Sequence, residues 1–276
     1  MSRSSSTPLT IVNVLSTGMS GSTWINLLLG SHPRCFSIGE MRGVLKYHEA
    51  VCVLHDQGCP IWSKFDPDSN ENWFTQIARL TDRRIVVLNN GRKLLPMQHA
   101  CGARVRFIHL MRDGRAVAAS MMRKYPERSM FKASRMWRHD VKRNERLIAR
   151  QPRDDCFQLS YERVKADTAG ELECACRFLQ IEFDPRMLEF WNVDHHYLGG
   201  NKGTLFGMTK KSGKDDPIDV RRRFEADKAP QWDLEHYRDT DPARFVDDRW
   251  KKELTGGQLR VFGLVAGRVN RKYGYR

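Results

Sequence analysis

Length, composition and charge limit what this chain can be. Its 276 residues, 40% hydrophobic and 29% charged, suit a globular protein with a substantial core. No apolar run reaches the length of a bilayer span, and the polar N-terminus lacks the apolar centre of a signal peptide. These features predict a cytoplasmic protein. Because the sequence shows no repeat and no clear linker, we predict a single domain over residues 1–276, in which residues 1–8 form a disordered tail.

The cysteines and the basic balance narrow the class further. The seven cysteines are odd in number and scattered, without a CxxC pair, which favours reduced thiols and predicts no metal site. A formal net charge of +14 favours an anionic partner such as nucleic acid, an acidic surface or a negatively charged small ligand. Because the chain has no recognised nucleic-acid reader motif, nucleic acid is the disfavoured partner. A solvated basic face accounts for many of the positive residues equally well.

The stretch from residue 11 to residue 29 is organised as strand, turn and helix. A β-branched apolar run stops at a turn of small residues, and an apolar helical pattern follows at once. That order directs backbone N–H groups and a helix N-terminus at one point, which suits a phosphate, although an ordinary βα loop is the alternative. The loop residues that we predict to hold the anion are Gly18, Met19, Ser20, Gly21, Ser22 and Thr23.

The elements that follow alternate between helix and strand. The further predicted strands are 84–89, 105–111 and 156–161. The further predicted helices are 41–56, 70–80, 114–120 with Asp113 as its N-cap, 130–150, 168–180 and 257–273. Residues 194–250 are polar and turn-rich, and we expect loops over the site there. The alternation predicts an α/β fold, a parallel sheet with helices on both faces.

Four ordered stretches carry a resemblance to a known family. They are residues 18–24, His32-Pro33 followed by Gly39-Glu40, residues 107–120, and residues 159–164 continuing into 176–181. Two later pieces, 195–201 and 249–251, add to them. In this order they resemble the sulfotransferases that use 3′-phosphoadenosine-5′-phosphosulfate (PAPS), in particular the branch with a catalytic glutamate after an HP motif. The resemblance implies a P-loop-containing nucleotide-binding fold, PAPS as the donor co-substrate, and no metal.

The resemblance assigns two anion sites to opposite ends of PAPS. It implies that the loop 18–23 holds the 5′-phosphosulfate, and that Arg112 and Ser120 hold the 3′-phosphate. An arginine at the C-terminal end of a strand can contact a phosphate through two N–H groups. As alternatives, Arg112 could pair with Asp113, and Ser120 could be a small packing residue.

The resemblance also places Tyr161 near the adenosine and one later arginine at the 3′-phosphate. Tyr161 ends a strand, where a ligand crevice is expected in an open α/β sheet, and a buried aromatic residue is the alternative. One arginine of the run 221–223 is implied to fold over the 3′-phosphate, and we select Arg222, although a solvated basic run is equally consistent.

Transfer of a sulfuryl group needs a base for the acceptor proton and cations for the leaving phosphate. Glu40 is the base candidate because of its spacing from His32-Pro33, and a glutamate at a helix N-terminus is the alternative. His109, His195 and His196 are second-line candidates.

Met19 departs from the family pattern. The family carries lysine or arginine at this position, and a methionine cannot donate to the leaving oxygen. Arg92 and Lys93 follow the predicted second strand, where relatives place a lysine near the sulfate, so we expect one of them to replace the missing cation. Otherwise the chain would be a non-catalytic nucleotide- or polyanion-binding descendant.

The sequence also bears on other possible ligands and on the acceptor. A P-loop NTPase is disfavoured, since Ser22 stands where the Walker lysine would be needed and no convincing Mg²⁺ ligand follows either strand. The acceptor is unidentified, and the basic surface favours an anionic one. We expect its pocket to form from residues 41–80, 125–150 and 195–235. The sequence leaves the oligomeric state open.

Overall fold

The computed structural model describes residues 8–47, 49–55, 58–213, 241 and 247–276. A five-stranded sheet lies at the centre of this part of the chain, with strand order β2-β3-β1-β4-β5 and parallel pairing throughout. Its strands are β1 (Thr10–Leu15), β2 (Cys35–Gly39), β3 (Ile85–Asn89), β4 (Arg104–Met111) and β5 (Cys156–Ser160).

Helices connect the strands and extend beyond the last of them. The α-helices among the described residues are α1 (Ser22–Gly30), α2 (Arg42–Tyr47), α3 (Trp73–Thr81), α4 (Leu95–Ala100), α5 (Gly114–Lys124), α6 (Met130–Ile148), α7 (Tyr161–Ala166), α8 (Thr168–Leu179), α9 (Lys202–Ser212), α10 (Trp250–Glu253) and α11 (Gly256–Lys272). Single-turn and longer 3₁₀ helices lie at Trp62–Lys64, Gly91–Leu94, Arg153–Asp155 and Pro185–Asn192. None of the helices in the described residues is long and apolar enough to cross a bilayer.

The pairing register brings the ends of the central strands to one edge of the sheet. Val14 on β1 lies opposite Asn89 on β3, and Leu15 lies opposite His109 on β4. Since all the strands are parallel, the segments that follow them open at this same edge. A ligand crevice is expected there in an open parallel sheet.

Both faces of the sheet are covered by apolar packing. Ile108 and Leu110 on β4 join a large core that includes Trp24 of α1 and Phe74 of α3. Phe107, whose side chain points to the opposite face, packs with other residues in a separate cluster. A further core joins α5, α6 and α11. This arrangement confirms the predicted α/β fold with helices on both faces.

Three element predictions need correction. The helix predicted over 41–56 ends at Tyr47. Further along, the backbone N–H of Val53 does not continue a helix but donates a hydrogen bond, 2.7 Å long, to the carbonyl of Tyr197. Residues 35–39, for which we predicted no element, form an edge strand with an irregular register between Ser37 and Gly39.

The region predicted as loops, 194–250, contains the helix α9. The side chain of Asn201 caps it by accepting a hydrogen bond from the backbone of Thr204. Residues 203–209 are all buried, so this helix has no polar face to give an amphipathic period. Arg222 and its neighbours Arg221 and Arg223 lie outside the described residues.

Candidate active site

A cavity of about 920 Å³ opens at the edge of the sheet where the strands end. Residues that follow each of the five strands line it, so the fold itself brings distant parts of the chain together here. The sequence-predicted residues on its wall are Gly18, Met19, Gly21, Ser22, Thr23, Glu40, Arg92, Lys93, Arg112, Ser120 and Tyr161. Ser20 lies behind this wall as a buried residue, with its hydroxyl 2.6 Å from that of Thr17.

The loop between β1 and α1 has a constrained backbone. Met19 has a φ of 65° and Gly21 a φ of 79°, and both lie in the left-handed region. A Cβ at Gly21 would lie 2.5 Å from a ring carbon of Tyr161, so only glycine fits both the conformation and the space. No described side chain caps the N-terminus of α1, and its first turn holds no acidic residue. The positive end of the helix dipole therefore faces the cavity, and no acidic side chain of the first turn offsets it.

Residues after β3 and before α9 hold this loop in place. The backbone N–H of Ser16 donates to the side-chain oxygen of Asn90, 3.0 Å away, and the N–H of Asn90 donates to Val14. At the other end of the loop, the hydroxyl of Thr23 accepts a hydrogen bond of 2.8 Å from the backbone of Asn201. These contacts fix the loop before any ligand binds.

Arg112 links the loop to the end of β4. It is 6% exposed and donates a 2.8 Å hydrogen bond to the carbonyl of Met19. The centre of its guanidinium group lies 4.5 Å from the centre of the Tyr161 ring, a cation–π contact. The neighbouring Asp113 caps α5 and pairs with Arg115 at 2.6 Å.

A carboxylate, that of Asp247, lies among three arginines at one end of the cavity. Its Oδ2 is 2.9 Å from Nη2 of Arg123 and 3.5 Å from Nη2 of Arg112, and its Oδ1 accepts a 2.8 Å hydrogen bond from Arg249. The hydroxyl of Ser120 faces the same carboxylate. Burial opposes ionisation, but the hydrogen bond from Arg249 and the surrounding positive charges hold the pKa of Asp247 well below its usual range. The donors of Arg112, Arg123, Arg249 and Ser120 thus converge on one carboxylate.

The other predicted catalytic residues differ in their surroundings. Glu40 follows β2 and is half-buried, and its backbone N–H donates to Gly199 across 2.9 Å. Arg92 is half-buried and donates to Asn144, and burial together with the charge of Arg143 lowers its pKa. Lys93 is exposed.

The side chain of Met19 packs against the apolar core of α5, α6 and α11. It therefore places a thioether and methylene groups where the family pattern has a cation.

Our sequence reasoning missed Asp247 and Arg123 as cavity residues. Arg123 follows Ser120 by three positions on α5, so both lie on one helix face. That spacing in the sequence could have predicted that Arg123 lies beside Ser120. Asp247 gave no such signal because its contacts depend on chain folding over long distances.

Among the second-line histidines, none lines the cavity as far as it is described. His109 and His195 are buried, and the ring of His195 forms a hydrogen bond with the carbonyl of Phe190.

Comparisons with known proteins agree with this fold. A family model described as sulfotransferase family matches residues 103–185, a segment that contains Arg112, Ser120 and Tyr161. No curated protein matches the chain significantly.

Solved structures with a similar fold include three sulfotransferases. The sulfotransferase domain of the Synechococcus PCC 7002 olefin synthase is 20% identical with a TM-score of 0.56, covering 85% of this chain and 95% of that one. The sulfotransferase domain from the curacin biosynthetic pathway is 16% identical with a TM-score of 0.52, covering 95% and 99%. A mouse sulfotransferase complexed with PAP is 15% identical with a TM-score of 0.52, covering 96% and 88%. The resemblance seen in the sequence is thus confirmed: residues 103–185 match the sulfotransferase family, and the chain has the sulfotransferase fold.

Proposed function

We propose that this protein transfers a sulfuryl group from PAPS to an acceptor hydroxyl or amine. The observation that carries the proposal is that two sets of hydrogen-bond donors suited to an anion line one cavity. The first is the loop between β1 and α1, and the second is the cluster of Arg112, Ser120 and Arg123. PAPS has phosphate groups at both ends of an adenosine and needs two such sites. The mouse sulfotransferase with a similar fold was solved with PAP, which supports the same class of ligand here.

In this proposal each end of the nucleotide has its own partners. Backbone N–H groups of the loop and of the first turn of α1 bind the 5′ end. The 3′-phosphate takes the place of the Asp247 carboxylate beside Arg112 and Arg123. The Nε of Arg112 is buried without a hydrogen-bond partner among the described residues, so it has a donor left for such a phosphate. The ring of Tyr161 offers an apolar face to the adenosine.

The chemical step is an in-line displacement at sulfur. A bond forms between the acceptor oxygen or nitrogen and sulfur while the bond from sulfur to the phosphate oxygen breaks. Glu40 accepts the acceptor proton, and Arg92 or Lys93 stabilises the charge on the leaving phosphate. Lys46 and Lys124 also line the cavity, which supports an anionic acceptor.

Calorimetry and thermal unfolding with PAP, the desulfated nucleotide, test the binding part. We expect PAP to release heat and to raise the melting temperature, and Arg112→Ala to weaken binding by at least about tenfold because it removes a charge-assisted contact. Arg79→Ala is the matched control, since Arg79 is exposed and pairs with Glu71 away from the cavity. No heat and no thermal shift with the wild-type protein would end the proposal.

A double variant tests the catalytic part. Arg92→Ala combined with Lys93→Ala should reduce sulfate transfer from radiolabelled PAPS by about 100-fold or more, because it removes the positive charge opposite the leaving group. Binding of PAP should change little. Turnover equal to that of the wild-type protein would show that another cation acts at this step.

The packing of Met19 favours a second candidate, a nucleotide-binding protein without transferase activity. Its partly buried side chain packs against an apolar core and offers no hydrogen-bond donor to a phosphosulfate. Sulfate transfer to a panel of alcohols, phenols, amines and glycans separates the two functions. Binding of PAP without transfer to any acceptor would support the second candidate.

A further inference from the structure

Two cysteines and two histidines meet outside the cavity. Cys52, His55 and Cys59 lie in the segment after α2, and His196 lies in the segment before α9. Their ligand atoms are all within 4.8 Å of one another. The described lining of the active-site cavity includes none of them.

The spacing of these atoms matches a tetrahedral site. The Sγ of Cys52 is 3.4 Å from Nδ1 of His55, and the Sγ of Cys59 is 3.3 Å from Nδ1 of His196. Four ligands around Zn²⁺, with bonds of about 2.3 Å to sulfur and 2.0 Å to nitrogen, place sulfur and nitrogen roughly 3.5 Å apart. We propose that Cys52, His55, Cys59 and His196 form a structural Zn²⁺ site.

The groups behind the two imidazoles support the proposal independently. Nε2 of His55 lies 2.9 Å from one carboxylate oxygen of Asp194, and Nε2 of His196 lies 3.7 Å from the other. A carboxylate behind a histidine keeps the proton on the outer nitrogen, so the lone pair of the inner nitrogen points at the metal. The two rings stack with centroids 4.7 Å apart, and each Nδ1 lies beside a thiol sulfur.

Charge and burial suit a closed site. Cys52 and Cys59 are each 1% exposed, and two thiolates neutralise a divalent ion. Protein side chains supply all four ligands and leave no open position for substrate, which is typical of a structural zinc rather than a catalytic one. Among the residues that the structure describes, these four are the group of histidine, cysteine and acidic side chains whose ligand atoms lie close enough together to hold a metal.

The ion would tie two distant segments over the end of β2. The carbonyl of His196 accepts a hydrogen bond of 2.8 Å from the indole of Trp62, and the next residue, Tyr197, accepts one from the backbone of Val53. Tyr197 packs so closely on Gly39 that a Cβ there would lie 2.6 Å from its ring. A zinc ion would thus stabilise the chain around Gly39, next to Glu40.

Metal analysis of the full chain tests the site. The protein is purified without a histidine tag, stripped with a chelator under reducing conditions, incubated with zinc chloride and desalted. We expect elemental analysis to find about one zinc per chain, and Cys52→Ser combined with Cys59→Ser to hold less than a tenth of that. Cys101→Ser combined with Cys174→Ser is the matched control and should keep its zinc, because these cysteines lie outside the cluster.

A second measurement, with Co²⁺ and the wild-type protein, does not depend on whether the double variant folds. Co²⁺ added to the stripped wild-type protein should give the intense visible bands of a tetrahedral ion and a thiolate-to-cobalt charge-transfer band. Retention of zinc by the double serine variant would overturn the site. So would a wild-type protein that binds neither metal, whether its cysteines are free or Cys52 and Cys59 have formed a disulfide.

Discussion

At the scale of single residues, Asp247 is the most informative side chain of the cavity. Its carboxylate contacts Arg112, Arg123 and Arg249, so a group of the protein itself already offsets part of the positive charge at the proposed phosphate site. A buried cluster of like charges without a counter-ion would be costly. The carboxylate therefore stabilises the empty site, and a bound phosphate must compete with it.

Asp247→Asn should separate these two effects. Without the carboxylate, the three arginines repel one another, and we expect the melting temperature of the ligand-free protein to fall by several degrees. Binding of PAP should become about tenfold tighter, because the phosphate no longer displaces an anion. Calorimetry and thermal unfolding measure both quantities. Asp241→Asn is the control, since Asp241 pairs with Lys211 and does not line the cavity as far as it is described. Weaker PAP binding in Asp247→Asn would show that the carboxylate organises the site for the nucleotide.

His109 is a buried ionisable group in the middle of the fold. Its Nε2 has no hydrogen-bond partner within the described chain, and burial lowers its pKa from 6.5 to about 4. In the unfolded chain the imidazole takes up a proton near pH 6.5. Between these two values the unfolded state binds more protons than the folded state, so stability decreases as the pH falls from 6.5 toward 4.

His109→Phe should remove this pH dependence. We expect lowering the pH from 7 to 5 to cost the wild-type protein about 2 kcal/mol more of its free energy of unfolding than it costs the variant. Urea denaturation of both proteins at the two pH values measures the difference. The variant His99→Gln, at an exposed histidine of α4, should behave like the wild type. Equal losses in wild type and His109→Phe would mean that His109 does not cause the effect.

At the scale of elements, the sequence was most informative where local patterns decide the structure. The loop 18–23 and α5 carry their signals in adjacent residues: small residues in the first, and the Asp113 cap in the second. The strand β2 and the helix α9 were missed because their burial depends on distant packing. The spacing Cys52-x₂-His55-x₃-Cys59 was visible in the sequence, but its fourth member, His196, is joined to it only by the fold.

Gly21→Ala tests how far the first loop depends on its backbone. The new Cβ would meet the ring of Tyr161 at 2.5 Å in a left-handed conformation, so either the loop or the ring has to move. We expect a loss of about 1–3 kcal/mol in the free energy of unfolding, measured with urea, and weaker PAP binding.

Gly18→Ala is the matched control for stability in the same loop. No described atom lies within 4 Å of a Cβ built at Gly18, so its free energy of unfolding should change little. Equal destabilisation by both substitutions would show that the contact with Tyr161 is not the cause.

At the scale of the whole molecule, β1 is the centre of the structure. It pairs with β3 on one side and with β4 on the other, so the loop proposed to bind the 5′ end and Arg112, proposed to bind the 3′ end, extend from neighbouring strands. The sequence allowed the parallel sheet to be predicted from its alternating elements, but not the strand order, which depends on which helices cover each face. Because one sheet spans the described chain, we propose that the protein unfolds as a single domain.

Calorimetric unfolding with and without PAP tests this single domain. We expect one transition in the absence of nucleotide, since separating either half of the sheet would expose the buried residues of β1. PAP at about 100 times its dissociation constant should stabilise the folded state by about 2.7 kcal/mol, which raises the melting temperature by roughly 5 °C. The whole transition should shift to higher temperature, because one proposed anion site follows β1 and the other follows β4, and these two strands are paired. Two transitions, of which PAP moves only one, would divide the chain into independent units and separate the proposed nucleotide site from part of the sheet.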